Sequence, residues 1–119
     1  MKYMLLIHQG TTPTPLDPAA WATLSEDEQQ AIYAAYQAIN STPGVTPGNG
    51  LEAPETATTV RVENGATITT DGPFADTKES INGYLIYEAD DLDAAIGLAA
   101  QIPAARLGGA IEVRPIKEW

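Results

Sequence analysis

Asp71-Gly72-Pro73-Phe74-Ala75-Asp76-Thr77-Lys78-Glu79 is the densest run of reactive and conformationally special residues in this 119-residue chain. Asp-Gly followed by Pro is loop grammar, because glycine admits positive φ while proline fixes φ and removes a backbone donor. Structured loops between strands commonly present side chains to ligands, so Asp71, Phe74, Lys78 and Glu79 are candidate site residues. Their structural alternative is a packed connector. Asp71 would then cap its own turn through backbone amides, Phe74 would anchor the loop in the core, and Lys78 would pair with Asp76 or Glu79. In either case Phe74, the single phenylalanine, is expected to be buried, with Lys78 or Glu79 facing a cleft. His8 is the single histidine. Its ordinary pKa suits a general base, and Asp71 could orient it if the fold joins the two; otherwise it is a polar strand end. Arg61 could reach the same loop, and Tyr84 could line a cleft or fill the core.

One histidine and no cysteine exclude a multi-histidine or thiolate metal site within one protomer, as well as disulfides and thiolate catalysis. No phosphate-binding glycine loop, nucleophile elbow or dinucleotide fingerprint occurs, so neither metal nor cofactor is expected. Glu26-Asp27-Glu28 and Asp90-Asp91-Asp93 belong at helix starts, where the dipole favours acids. Sixteen acidic against six basic residues give a net charge of −10. That field repels phosphate backbones and anionic lipid, so neither nucleic acid nor membrane is an expected partner. Without a secretory leader pattern or a long apolar run, the chain reads as a cytoplasmic protein.

The elements that must position these residues follow from periodicity. Tyr3–Ile7 is apolar on both alternating faces, as in a strand covered on both sides. His8 follows on the Met4 and Leu6 side, and the Thr/Pro-rich Gln9–Leu16 segment is a loop. Ser25 and Glu28 form a capping box for a helix to Asn40, with Ile32, Tyr36 and Ile39 on one stripe. Val45–Leu51, broken by Pro47, Gly48 and Gly50, is at most a weak edge strand. Asn64-Gly65 joins Ala57–Val62 to Ala66–Thr70 as a hairpin. Ile81–Ala89 is a long strand. A second helix, capped by Asp90 or Asp91, should bury Leu92, Ala95, Ile96, Ala99 and Ile102 and stop at Pro103. Ile111–Arg114 is a half-exposed final strand.

This order fits an α+β, ferredoxin-like βαββαβ sheet with an inserted β-hairpin, one domain over residues 1–119. Two helices cover one sheet face only. The other face needs a partner, and a second copy across a twofold axis supplies one, making a homodimer.

Met1–Ile7, Ala57–Arg61, Thr70–Glu79, Gly83-Tyr84, Asp91–Ala95, Ile102–Ala105 and Glu112–Pro115 together resemble the DGPF branch of the YCII-related domain proteins. The likeness covers nearly the whole chain. It implies a dimeric α+β barrel, bacterial genes near extracytoplasmic-function sigma factors, and a largely unassigned biochemical role. The wider group is credited with a His–Asp pair in a dimer cleft. That pair does not carry over: its aspartate would fall near Ile102-Pro103, and Ser25–Asn40 contains no histidine. Three readings follow. One is a small-molecule-binding or lyase-like protein with a pocket between His8 and the Asp71–Glu79 loop. The others are a non-catalytic accessory module in sigma-factor regulation, and a dimer without a ligand. A concave polar pocket would favour the first, and an exposed apolar patch away from the dimer face the second.

Overall fold

A computed structural model of the chain describes residues 1–73 and 80–118. It has an α+β fold with a four-stranded antiparallel sheet, three helices and a separate hairpin. The elements are β1 (Lys2–His8), α1 (Pro18–Trp21), α2 (Glu26–Asn40), β2 (Val45–Thr46), β3 (Thr58–Glu63), β4 (Ala66–Asp71), β5 (Ile81–Glu88), α3 (Leu92–Ala99) and β6 (Ala110–Pro115). The sheet order is β2-β5-β1-β6, while among the described residues β3 and β4 pair only with each other. Setting the hairpin and the single-turn α1 aside, the connectivity is the βαββαβ order read from the sequence.

Strand alternation sorts the sheet into two unequal faces. Tyr3, Leu5, Ile7 and Leu85 are buried with Ile39 of α2, Ala95, Leu98 and Ala99 of α3, and Ile102 and Ala104 beyond it. Met4, Leu6, Tyr84 and Ile86 lie on the opposite face and stay partly exposed. Opposite Met4 and Leu6 in the register stand Arg114 and Glu112. The described molecule is a slab, with Cα extents of 50 × 42 × 18 Å. Its radius of gyration is 16.1 Å, against roughly 13.5 Å for a compact domain of this length.

The capping box forms as read: Glu28 N–H donates to Ser25 Oγ at 3.1 Å, and Ser25 N–H to Glu28 Oε1 at 3.0 Å. These backbone and hydroxyl donors hold the Glu28 carboxyl below its ordinary 4.5. The stabilisation is therefore complete above that ordinary value and is lost as pH falls through the lowered one. Ser25→Ala is expected to cost about 1 kcal/mol and to flatten the acid side of the stability profile, read from urea midpoints between pH 3 and 7. A neutral-pH midpoint equal to that of the unaltered chain would contradict this.

The hairpin turn has Asn64 at φ 51° and Gly65 at φ 78°, the two positive values that a type I′ turn needs. The weak second strand also holds. Only Val45–Thr46 pairs regularly, against Tyr87 and Ile86. Gly48 then lets the backbone press directly on β5, since a Cβ there would strike the Tyr84 carbonyl, and Gly50 bridges to Gly83.

The second helix departs from expectation. It ends at Ala99, with a separate 3-10 turn over Pro103–Ala105. Leu92 and Ile96 are exposed, whereas Ala95, Leu98 and Ala99 are buried. Leu-Asp-Ala-Ala-Ile-Gly-Leu-Ala is apolar around most of its circumference, so two stripes compete. The stripe with small Ala95 and Ala99 lets the helix approach the sheet closely.

Candidate functional site

An open cleft of about 890 Å³ is walled by the loop after β1, α1 and the Gly50–Glu55 segment, and Pro73, Ser80 and Asn82 also line it. The first wall is shaped by Gly10, at φ 56°. Thr12 N–H donates back to the Gln9 carbonyl at 2.8 Å, and Thr11 N–H ties the loop to the Gly108 carbonyl at 3.2 Å. Asp17 caps α1, its Oδ1 accepting from Ala20 N–H at 3.3 Å, with Pro18 at the first helical position. Asn82 joins the walls. Its side-chain oxygen accepts from Gln9 N–H at 2.8 Å, and its carbonyl accepts from Leu51 N–H at 2.8 Å.

A smaller recess of about 230 Å³ adjoins, sharing Gln9, Gly50 and Asn82 and adding Tyr36, Asn49 and Tyr84. Gln9 Nε2 donates to the Tyr36 hydroxyl at 3.5 Å, and Asn49 Nδ2 to the Tyr84 hydroxyl at 3.1 Å. Burial pushes the Tyr36 phenol above its ordinary value of 10.0, against a smaller opposing effect of the Gln9 hydrogen bond. At neutral pH Tyr36 is therefore a neutral donor and acceptor.

Thr12 is the polar residue that stands out on the cleft wall. It is only 9% exposed, and its hydroxyl has no hydrogen-bond partner among the described residues. Buried hydroxyls are nearly always satisfied, and an unsatisfied one costs about 1–3 kcal/mol. The charged residues among the described lining are Asp17 and Glu55, so these walls disfavour an anion. Among the described residues no cluster of His, Asp or Glu could hold a metal ion, and no helix is long and apolar enough to cross a membrane.

The residues singled out in the sequence are dispersed. His8 lies on the open sheet face, its Nε2 3.5 Å from Glu112 Oε1, and Arg114 Nε is 3.5 Å from Glu112 Oε2. Asp71 ends β4 opposite Thr58 with its side chain exposed, and among the described residues nothing donates to its carboxylate or joins it to His8. Beyond it the hairpin ladder continues, Gly72 N–H donating to the Ala57 carbonyl at 2.6 Å and Thr59 Oγ1 to the Gly72 carbonyl at 2.7 Å; the rest of the expected Asx turn lies outside the described residues. Arg61 stands mid-hairpin opposite Ile68 and is not among the cleft-lining residues. Tyr84 lines the recess. Phe74, Lys78 and Glu79 lie outside the described residues. Gln9, Thr12, Asp17, Glu55 and Asn82 were not foreseen, because a Thr/Pro-rich loop carries no pattern that marks it as a wall.

The model of the YCII-related domain matches residues 1–119. An uncharacterized protein of Rhizobium meliloti (strain 1021) is 30% identical over 118 residues, which is 98% of this chain and 92% of that protein. The chain belongs to the YCII-related domain family.

Proposed function

We propose that this chain is a DGPF-branch member of its family, acting in the cytoplasm as a homodimer of ferredoxin-like protomers that binds a small polar, non-anionic molecule in the cleft between Gln9–Ala20 and Gly50–Glu55. One observation carries the reading: a buried, unsatisfied Thr12 hydroxyl on the wall of a ligand-sized concavity, with Gln9, Asn82, Asp17 and Glu55 also lining it. Concave sites with a few converging polar groups are the usual form of small-molecule sites. A small shift of the loop would open the closed-off Thr12 oxygen to a ligand hydroxyl or amine, giving it the partner that it lacks among the described residues. Any acid–base chemistry at His8, beside Glu112 on the open sheet face, would lie apart from this cleft, whose lining does not include it.

Thr12→Val separates binding from folding. Valine keeps the shape and removes the unsatisfied oxygen, so the variant is expected to be as stable as the unaltered chain or up to about 1–3 kcal/mol more stable. Polar small molecules that raise the melting temperature of the unaltered chain should lose most of that effect on the variant, since ligand stabilisation follows occupancy. Thermal-shift profiles of both proteins against one panel of amines, polyols and amides make the test. Equal shifts for both, or no shift for either, would overturn the reading.

A second reading, an accessory module docking a protein partner, is favoured by the hairpin, where Val60, Val62 and Ile68 are exposed.

A further inference from the structure

The β3–β4 hairpin is unlike the rest of the molecule. It forms a sheet of its own, and every residue of it is exposed except Thr59, which is partly buried. Val60 is 60% exposed, Val62 67% and Ile68 40%. Val60 stands opposite Thr69, and Val62 opposite Thr67. One face of the hairpin therefore carries Val60 and Val62 beside Thr67 and Thr69, a strip of β-branched side chains with Asp71 at its base, while Ile68 shares the other face with Arg61. An isolated two-stranded hairpin is marginal in water and needs a third strand or a packed face. Its β4 edge, Ala66-Thr67-Ile68-Thr69-Thr70, carries none of the Lys, Pro or bulge devices that normally protect a free edge.

The geometry points to an arm: the hairpin of each copy packs its Val60–Val62 face on a second copy of this chain, extending the contact made by the open sheet face. This rests on the dimer proposed above. Three observations select a second copy over another protein. Six residues per strand reach on the order of 20 Å from the hairpin base, consistent with a radius of gyration well above the compact value. The two valines of that face, fully covered, would remove only on the order of 200 Å² per copy, against roughly 800 Å² per partner in a stable interface. The missing area would come from this same chain, where Met4, Leu6, Tyr84 and Ile86 lie partly exposed on one face of an 18 Å slab. A twofold contact covers both surfaces at once. A copy is also present whenever the chain folds, whereas an occasional regulatory partner would leave the hairpin bare most of the time.

The experiment has two arms. Light scattering at micromolar concentration should give twice 12.6 kDa for the unaltered chain. The double variant Val60→Thr, Val62→Thr, which keeps side-chain shape and β-propensity, should stay folded while its dimer dissociation constant rises at least tenfold. Because the chain has no cysteine, Val62→Cys can carry a unique photo-crosslinker. Mixed ¹⁴N and ¹⁵N copies should then yield isotopically mixed crosslinked peptides joining residue 62 to the other copy. A dimer insensitive to the double variant, or one giving only isotopically pure crosslinks or none, would overturn the arm while leaving the dimer standing. A monomer would overturn both. Neither result bears on ligand binding in the cleft.

Discussion

Leu5→Ala is expected to lower the unfolding free energy by about 2–5 kcal/mol, toward the upper end of that range. Leu5 lies in a central strand and is fully buried, paired with Leu85 on one side and Val113 on the other. Ordered strands on both sides leave the cavity little room to collapse, and collapse is what makes such truncations cheap. Leu92→Ala is the control, because Leu92 is exposed on α3 and its loss should stay within about 0.5 kcal/mol. Urea midpoints for the pair, taken at one protein concentration, decide the matter. A Leu5 variant no less stable than the Leu92 variant would mean that the sheet core lies elsewhere.

Gly10→Ala should be strongly damaging to the wall of the cleft. Gly10 has φ 56°, and an added Cβ would land on the Gly108 carbonyl oxygen with Gly109 Cα close behind. The left-handed conformation alone costs about 1–2 kcal/mol for an L-residue, and forced overpacking adds roughly 1–3 kcal/mol. Gly65→Ala isolates the first contribution: Gly65 has φ 78°, and nothing lies within 4 Å of its would-be Cβ. The Gly10 variant is expected to lose at least about twice the stability of the Gly65 variant, and to distort the loop bearing Thr12. Equal losses in the two variants would show that the Gly10–Gly108 approach relaxes freely.

Much of the fold was legible because its signals are local. Ser25 with Glu28, Asn64 with Gly65, and Asp91 before an apolar run each specify an element within four residues. The alternation of Tyr3–Ile7 placed Leu5 and Leu6 on opposite faces. The docking stripe of α3 was not legible, since Leu92, Ile96 and Leu98 differ little in apolarity and the close approach of the helix to the sheet decides among them. The cleft was less legible still. Its described walls come from residues 9–20 and 50–55 with Pro73, Ser80 and Asn82, and no periodicity links those stretches. The unsatisfied state of Thr12 exists only once the loop has folded back on Gln9. The His8–Glu112 approach likewise depends on the β1–β6 register, which places residues some hundred positions apart side by side.

That register also orders events in time. β1 is a central strand, yet its hydrogen-bonding neighbours are β5 and β6, pairing Lys2 with Glu88 and Tyr3 with Pro115. The helix α2 and the β3–β4 hairpin close over short chain separations, which is the fast part of folding, whereas distant pairing must first overcome loop-closure entropy. On a ribosome, Tyr3–Ile7 emerges first and is completed last, because the sheet cannot close on its β6 side until residue 115 is available. During that interval the most apolar strand of the chain is without its neighbours, the condition in which nascent chains are most exposed to aggregation.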